Sequence, residues 1–316
     1  MASSTTTATA IDAQGRPALG VARKRWGEEV IKGLLVLAAL ISVLTTTGIV
    51  ISLVEETIRF FGEVGIADFL FGTEWAPLFS EASFGVLPLV SGTLLITAIA
   101  LLVAVPLGLG AAVYLAEYAT PRVRKTVKPV LELLAGVPTI VFGYFALTFF
   151  TPTILRDVLS MDVQVFNALS AGIIMGFMVV PTIASVSEDA MSAVPAALRE
   201  GAFGLGATKL QVSTRVVFPA ALSGIVAAIV LGVSRAIGET MIVLVAAGQV
   251  PNLTVDPRQS VETMTTYIAA TAKGDVPVGT IGYKTIFAVG TLLFVMTLVM
   301  NLISIRFVRK YRQVYE

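Results

Sequence analysis

Apolar positions in this chain fall in long unbroken runs, without the strict alternation of a half-buried strand. A helix that crosses the hydrocarbon layer needs about 20 mostly apolar residues. Six stretches satisfy this: 33–54, 87–116, 130–150, 168–186, 219–247 and 285–305. They predict an all-α, polytopic membrane protein with about six transmembrane helices. The second stretch is longer than a bilayer requires and carries Pro88 and Pro106, so a kinked or tilted helix is expected. Pro181 interrupts the fourth. Residues 1–15 are mostly Ser, Thr and Ala and read as a disordered tail. The first apolar stretch is long enough to stay in the membrane, which predicts an uncleaved anchor and not a removed signal peptide.

The polar connections orient these spans, because Lys and Arg concentrate on the cytoplasmic side. Sixteen of the 22 basic residues fall in the N-terminal segment, the second and fourth connections and the C-terminal segment. Five fall on the other side, where the first connection is acidic (Glu55, Glu56, Glu63, Asp68, Glu74, Glu81). The expected organisation is a cytoplasmic tail over 1–32, a transmembrane domain over 33–305 and a cytoplasmic tail over 306–316. Segment 188–218 is then cytoplasmic, and 55–86 and 248–284 are external. In the first external loop, Phe69, Phe71, Trp75 and Phe79 read as interface anchors or contacts for an external partner. The second external loop predicts a short re-entrant or surface helix around 261–272.

Composition narrows the chemistry. The chain is 56% hydrophobic and 14% charged, with a mean hydropathy of +0.87. A soluble chain carries roughly a quarter charged residues, so this one cannot clothe a compact body in polar surface. It has no His and no Cys, which removes Ser–His hydrolases, thiol nucleophiles, disulfides and imidazole or thiolate metal sites. No G-x-x-x-x-G-K-[ST] occurs, so nucleotide hydrolysis must belong to another chain or be replaced by an ion gradient. No cofactor, metal, catalytic role or nucleic-acid partner is expected.

Two segments carry more than span information. In 188–218, Pro195 is placed to start a helix, and Ala and Leu residues support helix on both sides of Gly204 and Gly206. Two short helices around a glycine turn would expose enough Leu, Phe and Val to call for a covering protein. In the fifth span, small residues recur every fourth position (Ala220, Gly224, Ala228, Gly232, Ala236, Thr240), which permits close helix packing. The same span holds Arg235 and Glu239, four residues apart, whose side chains would meet on one helix. Intramembrane charges mark paths or ion-pair locks, and they face a bundle interior or an aqueous cavity.

Residues 200–219, EGAFGLGATKLQVSTRVVFP, resemble the coupling motif of ABC-importer permeases. That motif reads Glu-Ala-Ala, three residues, Gly, nine residues, Ile, one residue, Leu-Pro. Glu200, Ala202, Gly206 and Pro219 fall in register, with Gly201, Val216 and Phe218 as departures. GTEW (72–75), LLAGVPTIVFGY (133–144) and SRAIGETMIV (234–243) resemble the PstC-type phosphate permease subunit, and the GETM continuation favours it over the PstA-type. The similarity runs from about residue 68 to the C-terminus. It implies a MetI-like type I importer permease fold in the cell (inner) membrane. It also implies a PstA-type permease partner, a cytoplasmic ATP-binding cassette ATPase dimer and an external phosphate-binding protein. Glu200, Gly201, Ala202, Gly206 and Pro219 would couple to the ATPase. Arg235 would contact translocating phosphate, whose oxygens its planar fork fits, with Glu239 as its resting partner. A permease for another oxyanion and an ion-gradient-driven transporter are the alternative readings.

Overall fold

The computed structural model describes residues 26–311; the N-terminal tail expected over 1–15 lies outside them. The first helix, α1 (Trp26–Phe61), spans two compact units that divide after Ser52. In the first unit the helix beyond Lys32 is apolar on every side and nearly all its side chains are exposed, as suits contact with lipid or another protein.

The second unit begins at Leu53. After α1 come α2 (Ile66–Phe71) and a two-residue antiparallel pair, β1 (Trp75–Ala76) with β2 (Ser83–Phe84). Gly72 and Gly85 touch here: a Cβ on Gly85 would lie 2.2 Å from the Gly72 carbonyl carbon, so the turn requires glycine. Then follow α3 (Leu87–Tyr118), α4 (Pro121–Ala135), α5 (Thr139–Val158), α6 (Ala168–Ser192), α7 (Ala196–Gly204), α8 (Lys209–Ala220), α9 (Leu222–Ile237), α10 (Met241–Ala246), α11 (Met264–Lys273) and α12 (Ile281–Tyr311).

Five of these helices are long and apolar enough to cross a membrane, and the bent pair α8–α9 makes a sixth span if taken together. The third span differs from expectation. Residues 121–135 form the separate amphipathic helix α4, capped by the Thr120 hydroxyl, and the span itself is α5. Gly136 and Pro138 end one helix and start the other, so Glu132 lies on α4 and not in a span. The latter part of α5, from Ala146, is π-helical around Pro152, a widened turn that accommodates a residue without a backbone N–H.

The fifth span differs more. Between α8 and α9 the chain bends by 72° at Ala221, and helix ends again at Ile237. Residues 238–240 form a break before the short α10. The small-residue stripe nevertheless packs as its spacing implies: Gly224 meets Ala190, and Gly232 meets Ile183 and Val179, all on α6. Gly108, Gly172 and Gly176 serve the α3–α6 contact in the same way. Buried Ile96, Met175, Met178, Ile183, Ala236 and Ile242 form the central core around these helices.

Two smaller cores cap the ends of this body. One, around Met191, Val212, Val217 and Ile225, lies beneath α7 and α8. The other holds Phe60, Phe69, Trp75, Leu89, Met264 and Tyr267. Phe69 and Trp75 are therefore interior residues and not interface anchors, whereas Phe71 and Phe79 are exposed.

Candidate functional site

Arg235 sits in the last turn of α9, half-buried, and its Nη1 donates to the Thr182 hydroxyl of α6 at 2.9 Å. Glu239 lies beyond the end of that helix, in the break. Its Oε1 accepts from the backbone N–H groups of Met241 (2.9 Å) and Ile242 (3.2 Å), so it caps α10. The expectation that Arg235 and Glu239 face each other on one helix is thus corrected: no ion pair joins them. Gly238 terminates α9, and the carboxylate satisfies the N–H groups that the new helix start leaves open. The break is fixed from a third direction by Thr265, at the start of α11, whose hydroxyl donates to the Glu239 carbonyl at 2.8 Å. Ser234 joins Asn301 of α12 at 3.2 Å. Three helices, α6, α11 and α12, therefore converge on the segment 234–242.

Two of the segments singled out in the sequence meet at this place. A Cβ on Gly143, in 133–144, would come within 3.2 Å of the Met241 carbonyl and the Ile242 Cα, in 234–243. Among the hydroxyl residues near them, Thr240 bonds the Gly238 carbonyl at 3.3 Å and Tyr144 is exposed on α5.

Beyond the C-terminal end of α6, α7 and α8 form the expected helix pair. Pro195 precedes the first turn of α7, and a Thr208–Gln211 capping box starts α8. Gly206 turns the chain between them at φ +82°, with no atom within 4 Å of where a Cβ would stand. Glu200, Gly201 and Pro219 are exposed and Ala202 is half-buried. Leu205 is 91% exposed at the tip and Leu210 64%, which leaves an apolar knob without a cover.

Sequence reasoning missed the groups that anchor this knob. The Arg199 guanidinium reaches Glu117, at the end of α3, at 3.0 Å, and the Met191 carbonyl at 2.7 Å. Glu188, fully buried on α6, is held by Arg124 and Lys128 of α4, the latter at 2.8 Å. Lys128 also reaches Asp189, and these two carboxylates, Asp189 first, raise its pKa above the usual lysine value. The basic residues of the second connection were visible in the sequence, but their partners lie 60 or more residues away.

The class follows from the fold. The chain superposes on the inward-facing MetNI methionine ABC transporter with a TM-score of 0.55, at 21% identity, over 71% of this chain and 96% of that one. Identity that low carries the fold alone, which is the MetI-like ABC permease fold. Residues 104–313 match the family described as binding-protein-dependent transport system inner membrane component, and the chain belongs to that family. It is 35% identical to the probable ABC transporter permease protein YqgH of Bacillus subtilis, over 87% of this chain and 89% of the relative. It is 31% identical to the phosphate transport system permease protein PstC of Haemophilus influenzae, over 91% and 95%. The chain is thus a multi-pass membrane transport subunit, not an enzyme. As an ABC-importer permease it works with a separate ATPase, a substrate-binding protein and a second permease.

Proposed function

We propose that the chain is the permease subunit of an ATP-driven inorganic phosphate importer, pairing with a PstA-type permease and receiving phosphate from an external binding protein. Both termini and the α7–α8 knob face the cytoplasm in this reading, and Glu200, Gly201, Ala202, Gly206 and Pro219 contact the ATPase. The likeness to phosphate permeases supports the substrate. The observation that carries the role of the site is the state of Arg235: a guanidinium inside a span whose one hydrogen bond is to a neutral hydroxyl. Its remaining N–H donors are free to take the oxygens of a tetrahedral oxyanion. With no carboxylate in contact, Arg235 does not have to break an ion pair before it meets the anion. Glu239 instead holds the shape of the break, and its carboxylate lends negative charge to the same segment, which favours release over trapping.

The test is phosphate uptake by the reconstituted complex carrying Arg235→Gln. Loss of a charge-assisted hydrogen bond is worth about 1.5–3 kcal/mol, or about 10- to 100-fold in uptake. Uptake at wild-type rate would remove Arg235 from the path. Transport of sulfate in preference to phosphate would move the substrate to another oxyanion, and uptake that survives ATP depletion but not an uncoupler would point to an ion gradient.

A further inference from the structure

At the end of the body away from α7, a cavity of about 720 Å³ opens between the β1 segment, α11 and the start of α12. Glu262 lies in its wall with 6% exposure. No hydrogen bond or ion pair reaches its carboxylate, and burial pushes that carboxyl up to about 7. A buried carboxylate without donors is costly unless something supplies a counter-charge. Of the basic residues in the adjoining segments, Arg258 pairs with Asp256 and Lys284 with Glu63, and Lys273, at the end of α11, does not line the cavity. The other ionisable groups lining the cavity are Asp275 and Tyr267, and no Lys or Arg lines it.

The rest of the wall indicates what the counter-charge is. Trp75 and Tyr267 pack edge to face, 4.9 Å between ring centroids, and aromatic rings attract cations. The Trp75 indole N–H is buried with no acceptor. Leu78 and Phe79, 56% and 74% exposed, form an apolar rim of the kind that the methylene stem of Lys or Arg covers. A bare metal ion does not fit this description. The described residues contain no group of three or more acidic, His or Cys ligands, and the cavity far exceeds the size of an ion. A Lys or Arg side chain brings both a cation for the carboxylate and a methylene stem for the apolar rim.

We propose that this cavity receives a lysine or arginine side chain of the substrate-binding protein, with Glu262 as its counter-ion. This rests on the orientation given under the proposed function, which places the 248–284 loop outside. The seated cation would hold Glu262 ionised, so docking should weaken as pH falls through the range where the empty site protonates.

The experiment measures the affinity of phosphate-loaded binding protein for the complete transporter in lipid nanodiscs between pH 6 and 8. Glu262→Gln keeps the shape and removes the charge. It is expected to weaken docking on the order of 10-fold at pH 8 and to flatten the pH dependence seen in the wild type. Glu262→Lys is expected to abolish docking, with recovery when one basic residue of the binding protein is changed to Glu. Wild-type affinity and pH profile in Glu262→Gln would overturn the proposal, as would loss of the second permease from the purified complex with docking unchanged. Impermeant thiol labelling of Val278→Cys in intact cells separates the two readings. No label there would mean that the orientation itself had failed, whereas label together with unchanged docking would remove the cavity proposal alone.

Discussion

Single positions in this permease fall into those that shape backbone and those that leave charge available. Gly206 belongs to the first kind. Its φ of +82° is open to glycine and strained for other residues, yet nothing crowds the space around it. Gly206→Leu should therefore misplace the α7–α8 knob through the backbone and not by collision. ATPase co-purification and coupled hydrolysis are expected to fall at near-normal membrane insertion, and normal coupling would refute the role of the turn. Glu239 also shapes backbone, as the cap of α10. Glu239→Ala should destabilise the complex by about 1 kcal/mol, while Glu239→Gln, which keeps an acceptor oxygen, should cost less. Because Arg235 and Glu239 do not touch, the double Gln variant should not regain the uptake lost in Arg235→Gln. Recovery in the double variant would restore the ion-pair reading. Glu262 adds a stability signature of its own. With its carboxyl raised from 4.5 to about 7, the folded state binds more protons than the unfolded between those values. Its contribution is complete below about pH 4.5 and is lost as pH rises through about 7, on the order of 3 kcal/mol at most. Melting of the complex without binding protein should become less pH-dependent over that window in Glu262→Gln, and an unchanged profile would show that Glu262 does not titrate there.

At the scale of elements, what was legible in the sequence depended on how local the deciding interactions were. The fourth and sixth spans, the helix pair around Gly206 and the short helix in the 248–284 loop follow from apolar length, glycine and proline placement, and caps. The apolar pattern starts the third span too early because residues 130–135 of amphipathic α4 continue the apolar run, although Gly136 and Pro138 mark the boundary. The breaks at Ala221 and 238–240 left weaker marks, since small residues are common in any packed transmembrane helix. The break at 238–240 is supported by Glu239 and Thr265, and the latter is 26 residues away in sequence. The Glu188 cluster has the same character. It ties α4 to the end of α6, so a force applied at the knob meets α3 through the Arg199–Glu117 ion pair and α6 through the Met191 carbonyl, and α6 in turn holds α4. Glu188→Ala would leave Arg124 and Lys128 without their buried acceptor. The expected cost is about 3 kcal/mol, at the low end for a broken buried pair because both cations remain partly exposed. ATP hydrolysis should then persist with less substrate moved per turnover. Unaltered stability and coupling would make the cluster incidental.

Beyond Leu53, basic residues are enriched around α7 and α8 and acidic residues around the hairpin and α11. Arg124, Lys128, Arg199 and Lys209 gather around α7 and α8, whereas Glu63, Asp68, Glu74 and Glu262 lie around the hairpin and α11. The proposed orientation puts the basic end in the cytoplasm, as Lys and Arg enrichment favours. It also agrees with the tasks proposed for the two ends, an apolar knob for the ATPase and an anionic cavity for a basic side chain. The absence of Cys makes this directly testable, and the structure selects the positions. Leu205, 91% exposed at the knob, and Val278, 81% exposed before α12, make no side-chain hydrogen bond that a substitution would break. By contrast, Ser192 bonds Glu188, and Ser260 bonds the Ala247 carbonyl. In intact cells, a membrane-impermeant thiol reagent should label Val278→Cys and spare Leu205→Cys until the membrane is opened. The reverse pattern would place the knob outside, out of reach of a cytoplasmic ATPase, and would turn the Glu262 cavity toward the cytoplasm.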